Sequence, residues 1–166
     1  MTEIREFFII AFPEAQPLGP QSADPVEHFT FMGYLRPNPE VEHKLTIAEH
    51  LERIDLKRLE LPGLKLKRLG RFMVTHLGDP TGELNSFKDE LFANLMEDGY
   101  ICSRKSFYTS DYRPHVTVGT VTPPGVKAPH PKKVQSFSFN SLSLTESRFD
   151  HDYNFLGSEV LHTRSF

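Results

Sequence analysis

The sequence predicts an α+β fold made of two similar halves that face each other across a cleft. Three observations lead to this prediction: apolar runs typical of strands, two stretches with helical periodicity, and a faint internal duplication. The first half reads EFFIIAFP, then HFTF and a helical stretch, whereas the second reads GRFMVTHL, then a helical stretch and HVTV. Each half contributes one strand motif, and a cleft between lobes is a favourable place for the two motifs to meet.

The first part of the chain predicts strands followed by a helix. A short apolar strand spans residues 6–12, and a loop with four prolines follows over 13–25, too interrupted for a full helix. Asn38, Pro39 and Glu40 then supply a helix cap, a proline at the first helical position and an early acid. We therefore expect the first helix to begin at this cap. Its apolar residues at helical spacing are Val41, Leu45, Ala48, Leu51 and Ile54.

The second part predicts strands on both sides of another helix. Residues 64–69, LKLKRL, alternate leucine with basic residues, as in a half-buried strand with a cationic outer face. RFMVTHL reads as a central strand, and helical periodicity follows over 81–98 until Gly99 ends it. In the closing segment the alternation of apolar residues changes phase, which predicts a β-bulge near Asn140 and Ser141.

Length and composition fit a single domain over residues 1–166. A chain of 166 residues buries about 70% of its unfolded surface, enough for a core without disulfides or metal. Cys102 is the only cysteine, and no apolar segment approaches the roughly 20 residues of a membrane span. Residues 1–17 are too acidic, and their apolar part too short, for a signal peptide. We expect a cytoplasmic monomer with no membrane partner.

The charge pattern limits the classes of partner. A net charge of −3 argues against a protein that binds duplex DNA, because such domains are usually basic. Basic residues nevertheless concentrate between residues 53 and 71, and Lys65 and Lys67 form the predicted cationic strand face. Two interpretations remain open for this face: a track for an RNA backbone, or an ordinary solvated surface.

Two copies of a His-x-Thr pattern are the main functional signal. His28 and Thr30 lie in VEHFTFMG, and His115 and Thr117 lie in YRPHVTVG. Residues i and i+2 of a strand point to the same face, so each histidine shares a face with its threonine. A lone histidine on an apolar strand is usually a packed core residue, but two matched pairs indicate a shared site with two titratable groups.

At these motifs the chain resembles the LigT-like 2H phosphoesterases, which include 2′,5′ RNA ligases and cyclic nucleotide phosphodiesterases. Residues 112–118, YRPHVTV, follow the family order of aromatic, variable, Pro, His, apolar, Thr and apolar. The first motif matches at His28, Thr30 and Phe31, then departs at Gly33, where the family commonly has a large apolar residue. The order of elements extends the resemblance over nearly the whole chain. It implies a two-lobed fold with antiparallel sheets around a central cleft and helices outside.

The resemblance also implies a mechanism. Displacement at phosphorus needs one group to take a proton from the nucleophile and another to protonate the leaving oxygen. Two imidazoles that titrate near pH 6.5 meet this need without a metal or cofactor. The resemblance suggests His28 as general acid and His115 as general base, with roles exchanged in the ligation direction. The hydroxyls of Thr30 and Thr117 would donate to the non-bridging phosphate oxygens.

The expected activity is metal-independent hydrolysis of a 2′,3′-cyclic phosphate on a nucleotide or RNA end. The same residues would serve a 2′,5′-phosphodiester hydrolase or RNA ligase, and a non-catalytic nucleotide- or RNA-binding module is a further alternative. Six more residues are candidates for substrate binding: Arg113 and Arg36 for a second phosphate, Tyr112, Tyr34 and Phe12 for stacking on a base, and His76 for a ribose or phosphate.

No metal site is expected. His43 and His50 lie nearly two helical turns apart, too far to bind one ion easily, and both read as surface residues. Asp150, His151 and Asp152 form a compact polar group that reads as a solvated turn.

Overall fold

Ten strands and two helices make up the fold in the computed structural model, which describes residues 3–21, 27–70, 72–107, 112–120 and 136–166. The elements in chain order are β1 (Ile4–Phe12), β2 (Gly19–Pro20), β3 (Phe29–Pro37), α1 (Ile47–Arg53), β4 (Leu59–Leu69), β5 (Phe72–Leu77), α2 (Glu83–Glu97), β6 (Tyr100–Cys102), β7 (His115–Thr120), β8 (Ser136–Phe139), β9 (Ser141–Phe149) and β10 (Phe155–Ser165).

The strands form two antiparallel sheets, so the predicted α+β class is confirmed. The larger sheet has six strands in the order β2-β10-β9-β1-β3-β6, and the smaller has four in the order β7-β5-β4-β8. The strand β5 lies inside the smaller sheet, as predicted for RFMVTHL. One apolar cluster joins both sheets and both helices through side chains such as Phe29, Val116 and Leu91. No helix in the described ranges is long and apolar enough to cross a membrane.

The first helix is shorter than the sequence pattern indicates. It begins at Ile47 rather than near Asn38, because Thr46 and Glu49 form a capping box in which each side chain binds the other's backbone N–H. The Asn38 side chain instead accepts a hydrogen bond from the Glu40 N–H, which closes a turn. The predicted start of this helix was therefore wrong.

The second helix agrees with its prediction. Helix α2 occupies 83–97, inside the predicted range, and buries Leu84, Leu91 and Leu95 on one stripe. Gly99 follows with φ of +88°, a left-handed conformation that ends the helix at low cost for glycine.

A buried network ties the end of α2 to the segment that leads into α1. The Asp98 carboxylate accepts hydrogen bonds from the Lys44 N–H at 2.7 Å, the Leu45 N–H at 2.9 Å and the His50 Nε2–H at 2.8 Å. His43 donates from Nδ1 to the Asp98 carbonyl oxygen at 2.8 Å. Only 7% of His50 is exposed, so its expected surface position was wrong.

The strand β3 is irregular where the first motif departs from the family pattern. Phe7 pairs with Leu35 but Ile10 pairs with Thr30, so β3 contains two extra residues opposite β1. Within this bulged stretch a Cβ on Gly33 would lie 2.5 Å from the Phe8 ring, which only glycine avoids. The departure at Gly33 is therefore a local change in strand geometry.

A second bulge redirects β4. Gly63 pairs with Leu77 and Lys65 pairs with His76, so Leu64 is the extra residue. Leu64 is 63% exposed, contrary to the regular alternation expected over LKLKRL, in which it would share a half-buried face. After the bulge, Lys65 and Lys67 lie on the opposite face from the one that an unbroken strand would give them.

The chain passes from one sheet to the other at Asn140. The strand β8 belongs to the smaller sheet and β9 to the larger, with this single residue between them. Its backbone N–H and side-chain Nδ2–H donate to the carbonyl oxygens of Phe12 and Pro13, and its own carbonyl accepts from the Phe166 N–H. The predicted β-bulge was wrong, because the phase change comes from a switch between sheets.

Candidate active site

The first His-Thr pair lies at the start of β3. Phe29 and Phe31 point into the core, whereas His28 and Thr30 alternate with them and are half-buried on the other face. The His28 ring packs on Phe12, with ring centroids 5.5 Å apart. Phe12 is only 1% exposed, so its ring packs against His28 and has no open face for a base. The expected stacking of Phe12 on a base was therefore wrong.

The second pair lies at the start of β7, with the same alternation about the buried Val116. The His115 Nδ1 lies 3.0 Å from the Arg113 carbonyl oxygen. A carbonyl oxygen only accepts, so Nδ1 carries a hydrogen and Nε2 is the nitrogen left to take or give a proton. Thr117 is exposed on the same face.

Tyr112 joins the two motifs. The strands β3 and β7 are in contact, and the Tyr112 hydroxyl donates a hydrogen bond to the Thr30 carbonyl oxygen at 3.1 Å. Burial raises the pKa of Tyr112 far above its ordinary range, so the hydroxyl keeps its proton. The expected stacking of this ring on a base was wrong: the ring is buried and its hydroxyl links one sheet to the other.

Lys88 supports Tyr112 and was missed in the sequence. It lies on the buried stripe of α2 with 3% exposure, and its Nζ is 4.9 Å from the centre of the Tyr112 ring. The ammonium donates to the Phe107 carbonyl oxygen at 3.1 Å and pairs with Asp89 at 2.9 Å. A signal was present, because Lys88 occupies the stripe between Leu84 and the later leucines at helical spacing.

His76 lies beside His115 in an electropositive environment. The two residues are directly opposite in the pairing of β5 with β7, and their ring centroids are 6.1 Å apart. Burial lowers the pKa of His76, and the positive charges of His115, Lys67, Lys65 and Arg113 lower it further. Every charged neighbour named here is cationic, so the surroundings of His76 favour an anion.

The remaining candidates for substrate binding lie at different distances from the two motifs. Arg113 is exposed near His115 and donates to the Tyr112 carbonyl oxygen at 3.0 Å. Arg36 stands at the other end of β3, roughly 20 Å of strand from Thr30, so the structure does not bring it to the motifs. Tyr34 has φ of +56° and carries the Arg104 guanidinium over its ring at 4.2 Å, so it is a packed residue.

Asp150, His151 and Asp152 lie close enough together to hold a cation. The Asp150 carboxylate, however, accepts hydrogen bonds from the Asp152 N–H, the Asn154 N–H and the Asn154 side chain. These bonds close the turn between β9 and β10, which accounts for the group without a ligand.

The two antiparallel sheets and two helices have the same fold as solved structures of a phosphoesterase and of E. coli LigT. A solved structure described as a phosphoesterase superposes with a TM-score of 0.61 over 98% of each chain at 18% identity. E. coli LigT in complex with 3′-AMP gives 0.60 over 99% of each chain at 20% identity, and its complex with ATP gives 0.58 at 18% identity. No family model and no curated protein matches the sequence.

Proposed function

We propose that this protein is a metal-independent phosphoesterase that opens a 2′,3′-cyclic phosphate at the end of a nucleotide or RNA. The observation that carries the proposal is the pairing of two His-Thr motifs from different sheets, held together by the bond from Tyr112 to Thr30. The structures of E. coli LigT with 3′-AMP, ATP and NADP⁺ support a nucleotide as the ligand class.

In this mechanism water attacks the cyclic phosphorus opposite the oxygen that leaves. His115 takes the water proton on Nε2, which suits it because its Nδ1 already holds a hydrogen on the Arg113 carbonyl. His28 donates a proton to the departing 2′ or 3′ oxygen, so a ribose hydroxyl and a phosphate monoester result. The two histidines then exchange protons with water to return to their starting states.

The two threonines of the site stabilise negative charge on the phosphate. The hydroxyls of Thr30 and Thr117 donate to the non-bridging oxygens, whose negative charge the site must accommodate throughout the displacement. His76 lies directly opposite His115, where its ring can contact the ribose or the phosphate.

The test is turnover of adenosine 2′,3′-cyclic phosphate in EDTA between pH 5 and 9. We expect a bell-shaped profile, with His28→Ala and His115→Ala each lowering kcat by about 10² to 10⁴ while circular dichroism stays unchanged. His151→Ala is the matched control, because this histidine is exposed in the turn after β9.

The outcomes separate the alternatives. The position of the phosphate in the product identifies the bond that breaks. Cleavage of a 2′,5′-linked diadenosine, with no turnover of the cyclic phosphate, would favour the 2′,5′ hydrolase or ligase over the present proposal. Full activity in either histidine variant, or inhibition by EDTA, would overturn the two-histidine mechanism. Nucleotide binding without turnover of any substrate would indicate a binding module.

A further inference from the structure

The strand pairing of the smaller sheet places Lys65 and Lys67 on the same face as the second motif. In an antiparallel pair, residues directly opposite each other project to the same side. His76 is opposite both His115 and Lys65, and Val74 is opposite both Thr117 and Lys67. Lys65 is therefore aligned across the strands with His115, and Lys67 is aligned in the same way with Thr117.

This placement depends on the bulge at Leu64. An unbroken alternation from Leu61 and Gly63, which lie on the core side of β4, would turn Lys65 and Lys67 toward the core side as well. The extra residue shifts the phase by one, so that the lysines face the cleft and Leu66 faces the other way. Bulges commonly re-aim side chains next to functional sites.

Both lysines keep their charge uncompensated by protein carboxylates. They are exposed, and neither forms an ion pair within the described part of the chain. Their charges reach His76, whose pKa they lower together with Arg113. Glu60 also lies on this side of β4, but its carboxylate pairs with Arg58 and so does not neutralise the lysines.

The backbones that carry the lysines and His115 lie two strands apart. Side chains of a strand stand roughly perpendicular to the sheet, so the spacing of strands sets the lateral distance between them. Two strand spacings separate β7 from β4, about 10 Å. A ligand that contacts both His115 and the lysines therefore extends beyond one phosphate group.

We propose that Lys65 and Lys67 bind a second phosphate group, so that the substrate is a ribonucleotide end with at least two phosphates, as in a short RNA. The proposal rests on the proposed function of the same cleft. The second phosphate has two sources, an internal phosphodiester or a 5′-phosphate, and both offer the same anionic oxygens to an ammonium group.

The experiment compares three substrates with the same scissile group. They are adenosine 2′,3′-cyclic phosphate, the same nucleotide with a 5′-phosphate, and diadenosine ending in a 2′,3′-cyclic phosphate. The variant Lys65→Gln/Lys67→Gln removes both charges from the exposed face. The matched control Lys57→Gln/Arg68→Gln removes two charges nearby, with Lys57 before β4 and Arg68 on its other face.

We expect the lysine variant to lower kcat/KM on the order of tenfold or more for a substrate with two phosphates, mainly through KM, and to leave the single-phosphate substrate unchanged. The slope of log(kcat/KM) against log(salt) should become shallower by about 0.7 for each lysine–phosphate pair that the variant removes. The control should behave as wild type. Of the two substrates with two phosphates, the one whose kcat/KM falls more shows whether the second phosphate is an internal phosphodiester or a 5′-phosphate. Equal loss on all three substrates, or no loss, overturns the proposal.

A measurement of binding affinity tests the second phosphate site independently of the proposed catalytic function. If none of the three substrates is turned over, the proposed function fails, and affinity for diadenosine with a 3′-phosphate then tests the lysines alone. A drop in affinity on the order of tenfold in the lysine variant, with the control unchanged, supports the second phosphate site. Equal affinity in both variants overturns it.

Discussion

Tyr112 is the residue through which the two sheets position the motifs, and a single oxygen atom makes the link. Removing it in Tyr112→Phe leaves the ring in place over Lys88 but leaves the Thr30 carbonyl without this donor. We expect the free energy of unfolding to fall by about 1 kcal/mol, because the part-buried Thr30 carbonyl loses this donor. Urea denaturation measures this change.

The same variant should also affect catalysis. Since the hydroxyl aligns β3 with β7, we expect kcat for a cyclic phosphate to fall more than KM rises. Phe107→Leu is a suitable control, because it alters the packing around Tyr112 and leaves the hydrogen bond intact. Unchanged kcat in Tyr112→Phe would show that the alignment of the motifs does not depend on this bond.

At the residue scale, the sequence predicts the parts of the site that have a local pattern. Strand alternation places His28 with Thr30, and His115 with Thr117, on one face each, and the burial of the intervening residues agrees with this alternation. The role of Tyr112 was not predicted. Its hydrogen-bond partner is a backbone carbonyl on another sheet, and a pattern of side chains in the sequence does not indicate such a partner.

At the element scale, α1 depends on its cap more than most helices do. It has seven residues, too few to be stable through backbone hydrogen bonds alone. We expect Thr46→Ala to lower the free energy of unfolding by about 1 kcal/mol, because the Glu49 N–H loses its acceptor. Thermal denaturation measures the effect, and Thr46→Ser should restore most of the stability. An unchanged Tm in Thr46→Ala would mean that the Asp98 network alone holds this segment.

The elements also show why strand faces were predicted less well than strand positions. The alternation in LKLKRL correctly indicates a strand with both lysines on its exposed face, but the bulge leaves Leu64 exposed as well, where the pattern indicates a half-buried residue. In β3 the irregular pairing puts the adjacent residues Phe31 and Met32 both in the core, which simple alternation does not allow. A bulge depends on the partner strand, so the sequence of one strand does not determine it.

At the scale of the whole molecule, acid stability depends on Asp98. The hydrogen bond from the Lys44 N–H, with those from His50 and Leu45, lowers the pKa of Asp98 from 3.8 to about 2. Because the folded pKa is below the unfolded one, the contribution of this carboxylate is complete above about pH 4 and is lost as the pH falls toward 2.

Urea denaturation at several pH values between 2 and 6 tests this dependence. We expect the difference in unfolding free energy between wild type and Asp98→Asn to be constant above pH 4 and to shrink as the pH falls to 2. Asp89→Asn is the control, since that carboxylate is exposed and pairs with Lys88. A difference that stays constant down to pH 2 would contradict the depressed pKa.

The overall architecture was predictable because several features of the sequence indicate the same fold. The connection between the two sheets at Asn140 was not predictable. The order of strands and helices along the chain follows from periodicity and from the family resemblance. The phase change near Asn140 was visible, but a bulge and a change of sheet produce the same pattern in one strand. Only the partners of β8 and β9 distinguish them.

The single residue between β8 and β9 has a mechanical consequence. Because Asn140 is the whole connection there and is anchored by hydrogen bonds to Phe12, Pro13 and Phe166, this joint has no slack. At this joint the angle between β8 and β9, and not the length of a linker, therefore determines how the two sheets are placed.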